Sequence, residues 1–247
     1  SGPMSQLIWA PELHEIDGKW YIYFAATHTH DLDALGMFQH RMFVLECADS
    51  DPLTGRWQEK GQVVTPFDTF ALDATTFTHQ GKRWYLWAQN LYLAEMANPW
   101  TLKGEPVMLS KPEFDWECRG FKVNEGPAVL MHGDKLFISY SASATDENYC
   151  MGLLWIDRQA DPLQPANWHK APQPVFRTSY ENRQYGPGHN SFTQTPEGED
   201  VLVYHARNYT EIEGDPLYDP NRHTRLKLIS WREDGMPDFG IPPADTL

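Results

Sequence analysis

A β-propeller is the fold this 247-residue sequence predicts, and three observations predict it. The chain holds 10 Trp, 11 Tyr and 12 Phe, and aromatic residues favour strands. Its 17 Gly and 19 Pro punctuate it with turns throughout, which long helices would not tolerate. Four segments also repeat one pattern: a small or polar start, alternating apolar residues, a turn glycine, then an aromatic-rich strand. Hairpins that recur without helices between them make propeller blades, whereas a β-sandwich has no need of a motif at near-constant spacing.

The first hairpin is expected over 8–26, turning at Gly18 into the alternating run Trp20-Tyr21-Ile22-Tyr23-Phe24. A further strand follows over 41–47. The second hairpin spans 72–89 with its turn at Gly81, and 91–96 reads as its extra strand. The third, 124–143, turns at Gly133. The fourth, 188–207, turns at Gly198 into Val201-Leu202-Val203-Tyr204-His205. Turn glycines between alternating runs are the hairpin signal. Their spacings of 63, 52 and 65 residues leave room in each blade for a second hairpin and an excursion.

All-β chains of this length fold as one unit, so residues 1–247 are expected to form a single propeller domain with a core that needs no disulfide or metal. The net charge of −14 disfavours nucleic acid, anionic membranes and polyanionic sugars, and suits a neutral substrate. No apolar run approaches the ~18–20 residues of a membrane helix. Cys47, Cys118 and Cys150 are odd in number and lack metal-type spacing. They read as buried free thiols, which suggests a reducing compartment and a cytoplasmic location. The sequon Asn208-Tyr209-Thr210 carries no weight, since short sequons occur by chance.

The repeat also locates candidate chemistry. Asp73 and Glu125 each lie eight residues before their turn glycine, and Trp9 and His189 nine before theirs. Equivalent positions on inner strands converge at one end of a propeller channel, where polar groups make a default active site. Asp73, among Ala71, Leu72 and Ala74, reads as an active carboxylate or a strand cap. Glu125 precedes a Gly126-Pro127 bend, and a carboxylic acid in apolar surroundings has the raised pKa a general acid requires. His189 has three open roles: bonding substrate, holding a metal, or filling the channel. Trp9 is a stacking platform or core. Of Arg222 and Arg225, beside Asp215 and Asp219, one is expected to contact substrate hydroxyls and the other to be paired structurally. Two carboxylates, abundant aromatics and an acidic chain point to glycoside hydrolysis. No nucleophile elbow, phosphate loop or dinucleotide fingerprint competes.

At these residues the sequence resembles glycoside hydrolase family 43. The resemblance is carried by Trp9-Ala10-Pro11-Glu12-Leu13-His14, Leu72-Asp73-Ala74, Asn124-Glu125-Gly126-Pro127, Gly188-His189-Asn190-Ser191 and Asp234-Gly235-Met236-Pro237. The wording of 148–152 and 214–222 is most similar to the exo-acting α-L-arabinofuranosidases of that family. The resemblance implies a five-bladed propeller and an inverting reaction. It would release terminal α-L-arabinofuranosyl residues from arabinan or arabino-oligosaccharides. β-Xylosidase, endo-arabinanase and a non-catalytic sugar-binding propeller are the alternatives. By resemblance Glu125 is the general acid and Asp73 the carboxylate that tunes it, while Trp9, Ala10, His189 and Arg222 surround the terminal sugar. The chemistry requires no cofactor. His189 either contacts sugar or helps hold a structural calcium or similar ion in the central channel.

The family's general base is an aspartate in the first blade, upstream of the Trp-Ala-Pro-Glu motif. The chain starts eight residues before Trp9 and shows four hairpins where five are implied. The expectation is therefore a piece lacking the N-terminal part of its first blade, completed by an N-terminal segment of the same protein.

Overall fold

The computed structural model describes residues 2–67 and 69–245, and these are all-β apart from three single-turn 3-10 segments. The chain divides into two compact units, Ser1–Met108 and Leu109–Leu247.

The first unit holds two blades. One is built in chain order from β1 (Gln6–Ile16), β2 (Lys19–Thr27), β3 (Arg41–Cys47) and β4 (Trp57–Gln62). The other is built from β5 (Leu72–His79), β6 (Lys82–Ala88), β7 (Leu91–Asn98) and β8 (Thr101–Ser110), whose last residues pass into the second unit. Burial is deepest in β5, followed by β2, β3 and β6, while β4 and β8 are largely solvated. Tyr23 joins the two blades: its ring lies 5.9 Å from that of Tyr85, and its hydroxyl donates to the Pro99 carbonyl at 2.5 Å. A buried phenol is tolerated because its polar tip has an acceptor.

In the second unit β9 (Asn124–His132), β10 (Lys135–Ala142), β11 (Cys150–Asp157) and the short β12 (His169–Lys170) form a four-stranded blade. A three-stranded sheet follows: β13 (Tyr185–Gln194), β14 (Asp200–Arg207) and β15 (His223–Leu228). The pair β16 (Ser230–Trp231) and β17 (Pro237–Asp238) closes the described strands. Phe137, Met151, Phe176, Leu202 and Phe239 pack in one buried cluster. Beside Tyr140, the fully buried Glu117 accepts from Tyr140 Oη at 2.8 Å, Asn124 Nδ2 at 2.9 Å and Lys170 Nζ at 2.9 Å.

All four predicted turn glycines take positive φ, at 76°, 70°, 56° and 86° for Gly18, Gly81, Gly133 and Gly198. The strand expected over 41–47 is β3 with those bounds, and the one over 91–96 is β7, two residues longer. The cysteines are all free, with Cys47 and Cys150 buried as expected. Cys118 is exposed, contrary to expectation, because it sits in a loop ahead of β9.

Candidate active site

The register that singled out the candidate residues has a structural cause. Each inner strand is broken by a register shift against its neighbour: β1 between Trp9 and Glu12, β5 between Leu72 and Thr75, β9 between Glu125 and Ala128, and β13 between Gly188 and Ser191. Inside each shift one residue has left-handed backbone: Ala10 at φ 43°, Asp73 at 51°, Gly126 at 54° and His189 at 43°. Such bulges bend a strand and re-aim its side chains. Three of the four are not glycine, and each such residue costs on the order of 1 kcal/mol or more. Strain repeated at one position in four blades is where function is sought.

In the first unit, Trp9 stacks on the His40 imidazole, with centroids 4.2 Å apart, and meets the edge of Phe38 at 5.1 Å. The His40 ring is fully buried and bonds the Leu7 carbonyl through Nε2 at 2.9 Å. Burial holds its pKa below the ordinary value, so Trp9 rests on a neutral ring. Trp9 itself is half-buried. Ala10 follows on the bulge. Asp73 is 5% exposed among buried Ala71, Leu72 and Ala74.

The second unit brings Glu125 and His189 together. Tyr149 donates its hydroxyl to Glu125 Oε1 at 2.6 Å. Ser141 lies opposite Glu125 in the β10–β9 register, and its Oγ accepts the His189 backbone N–H at 2.7 Å. A Cβ on Gly126 would stand 3.2 Å from His189 Cγ, so the absence of a side chain there lets the imidazole lie against the strand end. Gly188 performs the same service for Tyr149, whose ring would meet an added Cβ at 2.4 Å.

Sequence reasoning missed two members of this cluster. Tyr149 is the partner of Glu125, and His205 stacks on Tyr149 with centroids 5.5 Å apart and planes 10° from parallel. Both His205 ring nitrogens are buried without a hydrogen-bond partner among the described residues. Burial, then the charge of Arg222, keep this imidazole well below its usual pKa. Arg222 thus belongs to the same neighbourhood, with one guanidinium nitrogen 3.4 Å from the Leu217 carbonyl. Of the two arginines near the C-terminus, Arg225 is the one paired structurally. Asp219 holds the buried Arg207 at 3.0 Å, and Arg225 pairs with Asp245, since β15 carries Arg225 away from the 215–219 turn.

Comparison with known proteins decides the family. The model for glycosyl hydrolases family 43 matches residues 1–237. The chain belongs to that family. Over 99% of its length this family 43 chain is 56% identical to an extracellular exo-α-(1→5)-L-arabinofuranosidase of Streptomyces avermitilis, and it covers 52% of that protein. It is 53% identical over 87% of its length to a protein of the same name from Streptomyces chartreusis, covering 67% of it. The chain thus spans about half the length of the first relative and two thirds of the second. The crystal structure of an α-L-arabinofuranosidase from Lactobacillus brevis matches all of this chain and 80% of its own, at a TM-score of 0.98 and 58% identity. The propeller assigned from repeated hairpins stands.

The cytoplasmic expectation does not stand, because both Streptomyces relatives are named as extracellular. It rested on unpaired cysteines. Two of these are packing residues shut inside the fold, and burial raises the Cys150 thiol to about 12. Thiols of that kind do not report the redox state of their surroundings.

Proposed function

We propose that the protein is an inverting glycoside hydrolase that releases terminal α-L-arabinofuranosyl residues from arabinan or arabino-oligosaccharides, with Glu125 as general acid. The observation that carries the reading is the setting of Glu125 in a family 43 chain: a carboxyl group on a bulged strand end, fixed by the Tyr149 hydroxyl at 2.6 Å. The names of the Streptomyces relatives and of the Lactobacillus brevis structure support the sugar.

In this reaction Glu125 gives its proton to the leaving glycosidic oxygen as the bond to the anomeric carbon breaks. Water attacks that carbon from the opposite face and loses its proton to a second carboxylate. Asp73 serves as the buried charge that tunes and orients the acid, and Trp9, Ala10, His189 and Arg222 contact the terminal sugar. The water-activating carboxylate has no assigned residue in this chain. Nor is a calcium site assigned: calcium takes six to eight oxygen ligands, and Glu125 and His189 offer it one carboxylate and an imidazole. No step is routed through an ion.

Glu125→Gln tests the reading, because general acid catalysis contributes roughly 10²–10⁴-fold. Release of arabinose from arabino-oligosaccharides should fall by about that factor, while an aryl arabinofuranoside with a good leaving group loses far less. Equal losses on both substrates remove Glu125 from the acid role. Asp73→Asn should lower activity and leave the fold intact, as its part is electrostatic.

A further inference from the structure

The second unit contains a cavity of about 360 Å³ that the catalytic reading does not use, lined among others by Trp116, Arg119, Asn148, Gln173, Arg177 and Tyr180. Its size is that of a small-ligand site. A neighbouring hollow of about 410 Å³ shares Trp116, Arg119 and Gln173, so the two adjoin.

Its chemistry is unusual for a chain of net charge −14. Arg119 and Arg177 are exposed guanidinium groups, and neither has an ion-pair partner among the described residues. Tyr180 is 68% exposed, with its ring edge-to-face against Tyr185 at 5.6 Å. Trp116 spends its indole N–H on the Pro172 carbonyl at 3.1 Å and is buried against Phe114 and Tyr140, which leaves Tyr180 as the exposed aromatic ring of the lining. Glu147 lines the same cavity, and Glu113 and Asp115 line its neighbour. Donors and acceptors of both signs beside aromatic rings suit a neutral polyol better than an anion, which the three carboxylates would repel. The wall also leads to the catalytic acid. Glu147 and Asn148 belong to it, and the next residue, Tyr149, is the one that bonds Glu125.

We propose that this cavity is a second carbohydrate site, which takes a neutral arabinosyl stretch of the polysaccharide outside the ring that is cleaved. It rests on the arabinofuranosidase reading and adds a second point of attachment for the chain. The test is calorimetric titration of a linear arabino-oligosaccharide into the intact protein carrying Glu125→Gln, alone and with Arg177→Ala or Tyr180→Ala. Arg177→Ala should weaken binding about tenfold or more, the value of one charge-assisted hydrogen bond, and Tyr180→Ala about twofold to tenfold, the value of one stacked ring. Unchanged affinity in both variants overturns the proposal, as does tighter binding of an oligogalacturonate than of the neutral sugar. Wild-type hydrolysis of an aryl arabinofuranoside separates the two readings. Hydrolysis with cavity-independent binding sinks only the second site. Absent hydrolysis with cavity-dependent binding sinks only the catalytic reading, and absence of both sinks both.

Discussion

Tyr149 Oη lies 2.6 Å from Glu125 Oε1, and the ring that carries it is clamped between His205 and the bare backbone of Gly188. A tyrosine held on two sides has little rotamer freedom to lose, so its hydroxyl fixes the carboxyl group at small entropic cost. The candidate acid is therefore positioned by the residue just ahead of β11, backed by β13 and β14, as well as by its own strand β9.

Tyr149→Phe should keep the stack and remove only the hydrogen bond. A net hydrogen bond to a carboxyl group that carries its proton is worth about 0.5–1.5 kcal/mol. Its loss should appear as a fall of about twofold to tenfold in kcat on arabino-oligosaccharides, with KM changing much less. Steady-state kinetics beside a thermal melt check it. A variant with wild-type kcat would mean that the bond does not position the acid.

Gly126→Ala should be costly on two counts. The left-handed backbone at φ 54° strains any side chain by about 1 kcal/mol or more. The new Cβ would also press on His189 Cγ at 3.2 Å, pushing the imidazole off the strand end. Reduced thermal stability together with a raised KM for the oligosaccharide is the expected pair of results. Ala10 takes the same backbone conformation without glycine, so Ala10→Gly should instead relieve strain and leave the melting temperature equal or higher.

How much of this was readable beforehand follows from periodicity. The turn glycines fixed four hairpins because Gly alone accepts positive φ without penalty, and β2 alternates in burial over 20–23 before it becomes buried throughout. The outer strands β4 and β8 went unseen because they are mostly solvated and carry Lys, Glu and Gly, which leave no apolar period. Strand β11 is nearly all buried, so its apolar run does not alternate either. Asp73, Glu125, His189 and Trp9 were legible through a common distance to a turn, a distance the bulges preserve from blade to blade. Tyr149 and His205 lie on no such register. Their roles arise from packing of the residue ahead of β11 between β9 and β14, which no local pattern encodes.

Glu117→Gln should expose a structural dependence on acid. Burial by itself raises this carboxyl group, but the N–H groups of Glu113 and Phe114, then Lys170 and Tyr140, outweigh it and hold the pKa below the ordinary 4.5. The stabilisation is complete above the unfolded-state value and is lost as pH falls through the lowered native one. At neutral pH the substitution takes the buried carboxylate from Lys170 and leaves it Glu113 at 3.3 Å and the Lys111 carbonyl at 2.9 Å, so it should cost about 2 kcal/mol, or roughly 6 °C in melting temperature for a chain this long. The acid limb of stability against pH should become shallower than in the wild type. A variant that melts at the wild-type temperature would show that the buried pair contributes nothing net.

The last expectation concerns His205. Its nitrogens are covered, and Arg222, His189 and Arg207 all place positive charge or a second imidazole nearby, so the folded protein keeps this ring neutral well below pH 6.5. Unfolding releases it to an ordinary pKa. The unfolded chain then binds more protons than the native one, and stability must fall as pH drops below about 6.5. Between pH 7.5 and 5.5 one such histidine removes about 1.4 kcal/mol. His205→Phe preserves a ring to stack on Tyr149 and abolishes the proton uptake. Denaturant titrations at the two pH values should therefore show wild type losing about 1.4 kcal/mol more than the variant. Buried His40 shifts in the same direction and is left in place, so it adds equally to both and cancels. Equal losses in the two proteins would mean that His205 is already solvated or protonated in the fold, and that the Tyr149 clamp is looser than its geometry indicates.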